Sequence, residues 1–256
     1  MQDVFNQITA TVNSFLPITL KEMDGVALMN RTDTKFTFNI SKLQAILEEA
    51  SAYYKVLEID NLRGFDYEST YFDTPDHRMF YDQHRGKPNR NKIRRREYMY
   101  SGLTFMEVKC KNGQGRTVKE RVKMKKDDEH FTTKTSEFIQ KVCPFRAHEL
   151  EPKLVNSFTR YTLVHKYEQE RLTIDLNLRF RDEKGGAAGY PFLVIAEVKR
   201  DGCASNSTIV QIMKKNTIRA TGMSKYCLGI ILLNPGLKHN NFKPKLLTLN
   251  KIKHDY

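Results

Sequence analysis

The chain has no tryptophan, few cysteines and no apolar run approaching the ~20 residues that a membrane-spanning helix needs. The missing tryptophan excludes little. The four cysteines, Cys110, Cys143, Cys203 and Cys227, are scattered and none forms a Cys-x-x-Cys pair, so zinc-site spacing is absent. Reduced thiols in a cytoplasmic protein are the expectation. No secretory signal is read at the start, and no tandem repeat or Pro/Gly/Ser-rich linker divides the interior. The chain carries no evident nucleophilic triad either.

What the chain has in excess is positive charge. Lys and Arg total 43 against 30 Asp and Glu, a net charge of +13. Such an imbalance points to an acidic partner: nucleic acid, an anionic membrane or a polyphosphorylated compound. A merely basic, soluble surface is the alternative. Hydrophobic residues make up 39% and charged residues 29%, a globular balance.

The charge is patterned. Lys92, Arg94, Arg96 and Tyr98 share one parity, as do Glu107 and Lys109, Lys119 and Arg121, Arg171, Asp175 and Arg179, and Glu197 and Lys199. In a strand, residues two apart face the same side, so each segment sends charge one way and apolar side chains the other. Leu172, Ile174, Leu176, Leu178 and Phe180 are read as one core face. If these strands close around a common axis, cations and a few carboxylates line the inside, which suits a phosphate chain held with a metal.

The pattern predicts an amphipathic helical lead-in up to about residue 30, through Val4, Phe5, Ile8, Val12, Phe15 and Leu16. A strand from Arg31 to Phe38 follows, then a helix through Leu43, Ile46 and Leu47 that Ser41 could cap. Strands are predicted at about 53–60, 65–73, 92–100, 103–111, 116–125, 157–167, 170–181 and 190–200. Ser101-Gly102 and Asn112-Gly113 are hairpin signals. Helices are expected at 134–142, 147–155, 206–216 and 223–231. The Lys- and Asn-rich segment from Pro235 reads as a surface arm. The sum is an α+β fold, an antiparallel β-barrel braced by external helices.

Several motifs occur in order: Tyr71-Phe72-Asp73-Thr74, His84-x-Gly86-Lys87-x-Asn89-Arg90-x-Lys92-Ile93-Arg94-x-Arg96-x-Tyr98, Glu107-Val108-Lys109, Lys119-x-Arg121, Glu197-Val198-Lys199 and Ser224-Lys225-Tyr226. The set resembles the VTC (vacuolar transporter chaperone) domain of polyphosphate polymerases, within the triphosphate tunnel metalloenzymes. The likeness covers about residues 25–232. The resemblance implies a helical lead-in over 1–24, a tunnel domain over 25–234 and a basic tail over 235–256. It further implies transfer of the γ-phosphoryl of ATP or another NTP to a growing polyphosphate chain or a pyrophosphate primer, with Mn²⁺ or Mg²⁺.

On this sequence the resemblance makes Arg94, Arg96, Lys119, Arg160 and Arg171 the catalytic lining. Lys35, Lys92, Lys109, Arg121, Lys199 and Lys225 hold substrate, and Glu197 is the metal ligand. Glu107 and Asp175 are read as structural partners of the cations. His77 and His84 are read as polar, structural histidines near the rim. Hydrolytic relatives often open with Glu-x-Glu-x-Lys; here the positions read Arg31-x-Asp33-x-Lys35. That change removes one metal ligand and favours the polymerase branch.

Phosphoryl transfer needs alignment and charge compensation more than covalent chemistry. Arg binds phosphate oxygens as a planar fork and Lys adds point charge. The terminal phosphate acceptor is already ionised, so no strong base is required. The alternatives are a metal-dependent triphosphatase or NTPase on the same fold, and a non-catalytic module that binds polyphosphate or nucleic acid. No nucleic acid is expected, because carboxylates accompany the inward cations. A membrane-protein partner is left open.

Overall fold

The computed structural model describes residues 2–24, 31–113, 117–128, 130–201 and 207–255, with only the backbone of Gln2, Asp24 and Arg31. Cys203 lies outside the described residues. The elements in order are α1 (Gln2–Asn13), β1 (Pro17–Ile18), α2 (Leu20–Asp24), β2 (Arg31–Asn39), α3 (Leu43–Ala50), β3 (Tyr54–Leu57), β4 (Gly64–Asp73), α4 (Arg78–His84), β5 (Arg90–Tyr98), β6 (Leu103–Lys111) and β7 (Thr117–Met124). They continue with α5 (Thr133–Val142), β8 (Glu151–His165), β9 (Glu170–Arg181), β10 (Ala187–Tyr190), β11 (Leu193–Asp201), α6 (Thr208–Lys215), α7 (Lys225–Leu233) and α8 (Lys243–Lys253).

The strands form one sheet with the path β2-β11-β9-β8-β4-β5-β6-β7. Every step along it is antiparallel. This is the predicted α+β class and tunnel-type sheet. Among the described residues no ladder joins the two ends, β2 and β7. The free edge of β2 is instead covered by a single antiparallel bridge, Phe36 to Ala220, and by the Thr221 amide donating to the Lys35 carbonyl at 2.8 Å. Covering an edge satisfies donors and acceptors that would otherwise invite another chain.

Alternation sorts the side chains. Phe36, Phe38, Val194, Ala196, Val198, Leu172, Ile174 and Leu176 pack outward under α1, α3 and α6. Phe72, Ile93, Met106 and Val108 pack outward under α5. The lead-in helix seats Ile8 and Val12 in the first of these cores, Phe15 just after it joins them, and Leu16 stays exposed.

The predicted single core face of β9 is in fact two faces. Asn177 has φ 54 and the register to β8 shifts between Ser157 and Thr159, so β9 carries one extra residue there. Such a bulge flips every residue beyond it. Leu178 and Phe180 therefore turn inward with Leu154, Phe158, Leu193 and Ile195, where α7 and α8 cover them. Arg179 leaves the lining and lies exposed, its Nε donating to Asn177 Oδ1 at 3.2 Å.

Other expectations needed correction. Residues 147–155 are not a helix: one 3₁₀ turn at Ala147–Glu149 leads straight into β8, where Leu154 pairs with Tyr71 of β4. Ser41 is not a helix cap; its amide donates to the Asn39 side chain at 3.0 Å. The polar segment with His77, Tyr81 and His84 is α4 with its lead residue. The segment after Pro235 is not a free arm: Leu249 and Ile252 of α8 are buried, and Asn39 donates to the Ile252 carbonyl at 2.8 Å. His84 is structural, as expected, with Nε2 3.0 Å from Asn240 Oδ1 and accepting from the Asn241 amide at 3.1 Å.

Candidate active site in the tunnel

Inside the curl, three carboxylates gather the cations. Glu107 on β6 is 2% exposed. It accepts from Arg94 at 2.6 Å and Lys119 at 2.7 Å, and Arg96 lies 3.8 Å away. Asp175 on β9 takes a two-point contact from Arg160, at 2.5 and 2.8 Å, and an ion pair from Lys225. Glu197 on β11 accepts from Lys199 at 2.7 Å and Lys35 at 3.3 Å, and Lys199 also reaches Asp33 at 3.5 Å. These contacts follow from register, since Arg94 faces Glu107, Arg160 faces Asp175 and Lys35 faces Glu197 across adjacent strands.

The electrostatics match this crowding. Each of the three carboxyls is held well below the usual range: burial is the largest single effect and opposes this, but it is outweighed jointly by Arg94, Arg96 and Lys119 for Glu107, by Arg160 and Lys225 for Asp175, and by Lys199, Lys35 and Arg160 for Glu197. Burial lowers Lys119 to about 8 despite Glu107. Burial lowers Lys92 and Lys225 to about 7. Lys92 donates to Ser224 Oγ at 3.1 Å and is pushed down further by Lys109, Lys35 and Arg94, while Cys227 opposes. Around Lys225, Asp175 opposes the fall while Arg160 and Arg96 add to it. Lys109 reaches solvent at one mouth, yet the walls desolvate it enough to lower its pKa, helped by Lys35.

The register also places the other two expected lining residues. Arg121 faces Glu107 in the register but lies over the Phe105 ring, 4.6 Å from its centroid. Arg171 lies half-buried opposite Lys199.

Sequence reasoning missed the aromatic floor. Arg160 lies over Tyr67 and Phe158 at 5.2 and 5.3 Å, Arg96 over Tyr67 at 5.7 Å, Arg94 over Tyr71 at 5.8 Å, and Lys225 over Phe158 at 3.2 Å. These rings hold the cations by cation–π attraction, so aromatics do accompany the inward charges. The available signal was parity: Tyr67, Ser69 and Tyr71 alternate on β4 and pair with Tyr98, Arg96 and Arg94.

A divalent ion would meet a spare donor set. Among the described residues no three His, Cys, Asp or Glu side chains converge. Glu197 fits an ion that brings phosphate oxygens and water as its other ligands, since hard cations need few protein oxygens when substrate supplies the rest.

The fold and its lining define an α+β protein whose curled antiparallel sheet gathers cations on its inner face. The chain belongs to the VTC domain family, whose model matches residues 30–234. No curated protein matches it. Solved structures similar in outline include a proposed adenylate cyclase from Vibrio parahaemolyticus, 13% identical over 77% of this chain and 97% of that one, with a TM-score of 0.45. A proposed adenylate cyclase from Bacillus halodurans is 12% identical over 77% and 96%, with a TM-score of 0.47. A proposed adenylyl cyclase from Hippeastrum, described as having a dominant triphosphatase activity, is 12% identical over 77% and 93%, with a TM-score of 0.46. No described helix is long and apolar enough to cross a membrane.

The lowered lysine pKa values set a pH dependence. With their pKa values lowered by burial to about 7, Lys92 and Lys225 should lose charge as pH rises above that value. Affinity for tripolyphosphate should therefore fall as pH rises, by roughly tenfold or more between about pH 6 and about pH 9. Calorimetric titration at constant ionic strength checks this; a flat profile would mean that these lysines do not meet the anion.

Proposed function

We propose that the protein is a polyphosphate polymerase, which transfers the γ-phosphoryl of ATP or another NTP to the end of an inorganic polyphosphate chain. The observation that carries this reading is the grouping of inward cations on Glu107 and Asp175, both buried, and on the half-buried Glu197. A phosphate chain can take over contacts that the carboxylates now hold. Cations kept in place by such partners are preorganised for the transition state and need little movement when it forms.

In this reading Arg94, Arg96 and Lys119 bind the transferring phosphoryl group, with Arg160 and Arg171 completing the wall. Lys35, Lys92, Lys109, Arg121, Lys199 and Lys225 hold the donor tail and the growing chain. Glu197 would hold Mn²⁺ or Mg²⁺, which when bound supplies charge neutralisation between phosphate groups. We place the protein in the cytoplasm, where NTP is available.

The test is incubation with ATP, Mn²⁺ and a trace of pyrophosphate, with products resolved on a gel. A ladder of polyphosphate with matching ADP is the expected result. Orthophosphate without a ladder would make the protein a triphosphatase. Tight polyphosphate binding with no turnover would make it a sensor.

Glu197→Gln separates metal from anion binding. The variant should lose about 100-fold in metal-supported turnover. Its metal-free affinity for tripolyphosphate should stay level or tighten, because Lys35 and Lys199 are released. Equal loss of both, with an intact fold, would contradict the ligand role.

A further inference from the structure

Two of the ordered motifs, Tyr71-Phe72-Asp73-Thr74 and Ser224-Lys225-Tyr226, meet in space at a point that the phosphate-binding roles leave unexplained. Asp73 at the end of β4 is fully buried. Its carboxylate accepts from four neutral donors: the amides of Thr74, Met79 and Phe80 at 2.8, 2.8 and 2.9 Å, and the Tyr226 hydroxyl at 2.5 Å. The Met79 and Phe80 amides tie it to the start of α4. The fourth reaches 153 residues along the chain, to the first turn of α7.

That turn matters because of its neighbours. Ser224, just before α7, accepts from Lys92. Lys225 pairs with Asp175 and covers Phe158. Tyr226 stacks on Tyr71, with centroids 5.4 Å apart, and the Tyr71 hydroxyl accepts from Arg94 at 3.2 Å. A continuous chain of contacts thus runs Asp73–Tyr226–Tyr71–Arg94. The apolar face of α7 cannot set this register by itself, because apolar packing is non-directional. A hydrogen bond from one buried hydroxyl to one buried carboxylate can.

We propose that Asp73 and Tyr226 are positioning residues: they lock the first turn of α7 into the tunnel, and so fix Ser224, Lys225 and, through Tyr71, Arg94 for the phosphate chain. The inference rests on the phosphate-binding reading of the tunnel.

The test is Tyr226→Phe, which keeps the stack and removes only the hydroxyl, beside Tyr71→Phe and the double variant. Melting temperature and tripolyphosphate affinity are both measured. Loss of one hydrogen bond to a buried carboxylate should lower the melting temperature by no more than about 10 °C. Affinity should fall about tenfold in either single variant. The double variant should be scarcely worse than the weaker single, since coupled contacts are not additive. Unchanged affinity in a less stable Tyr226→Phe would mean a merely structural bond and overturn the proposal. Fully additive losses would break the link through Tyr71 and overturn it as well. Wild-type protein that fails to bind tripolyphosphate would overturn the tunnel reading itself, and this inference with it.

Discussion

Arg94→Ala is expected to lower polyphosphate synthesis by roughly 1,000-fold or more, the scale of a cation that meets charge developing in phosphoryl transfer. Arg94 sits where the argument for chemistry is strongest: it shares Glu107 with Arg96 and Lys119, and Tyr71 holds it from below. The fold should survive, because Glu107 keeps two cationic partners and the outer cores are untouched. Ladder formation read beside the melting temperature decides the matter. Undiminished synthesis would remove Arg94 from the reaction.

Glu107→Gln should have the largest effect on stability. The substitution strips Arg94, Arg96 and Lys119 of the carboxylate they share, and Arg96 is 7% exposed. Removing one partner of a buried ion group costs about 3–5 kcal/mol, because charge is left uncompensated. For a chain of this size that is a fall of about 6–20 °C in melting temperature. Tripolyphosphate should return part of the loss, about 2.7 kcal/mol at 100 times its dissociation constant. Urea unfolding with and without tripolyphosphate measures both. A variant as stable as the wild type would show that the cations are solvated and repel little.

The same carboxylates fix the acid limb. Their folded pKa values lie below the unfolded carboxylate range, so the unfolded chain binds more protons as pH falls. Their stabilisation is fully present above the unfolded values near 4 and is lost as pH drops through the depressed folded ones. Glu107→Gln should flatten that limb.

Much of this was legible before any coordinates. Arg94, Arg96, Lys119 and Glu107 lie on uninterrupted strands, where a period of two assigns each side chain to a face. Asn177 shows where that logic stops. One residue in left-handed backbone flips the rest of β9, so Arg179 leaves the lining and Phe180 enters it. Nothing in the alternation of 171–180 announces the bulge, because charged and apolar residues keep their spacing through it. Residues 147–155 were misread for a related reason: Leu150 and Leu154 are spaced as on a helix, but pairing with β4 outweighs local propensity. The helix α8 was taken for an arm because its five-lysine neighbourhood hides two apolar contacts.

The sequence by itself determined the sign of the net charge, the antiparallel class, and the face on which most charged residues stand. These depend on composition and on neighbours two residues apart. Only the tertiary structure decided which carboxylate serves which cations, that aromatic rings floor them, and that α7 packs on the inner face of the curled sheet to bring Lys225 to Asp175. The Lys225–Asp175 contact joins residues 50 positions apart, and the Tyr226–Asp73 contact beside it joins residues 153 apart. Contacts of that range are set by how the sheet curls and what its inner face must bury, and no local pattern carries that information.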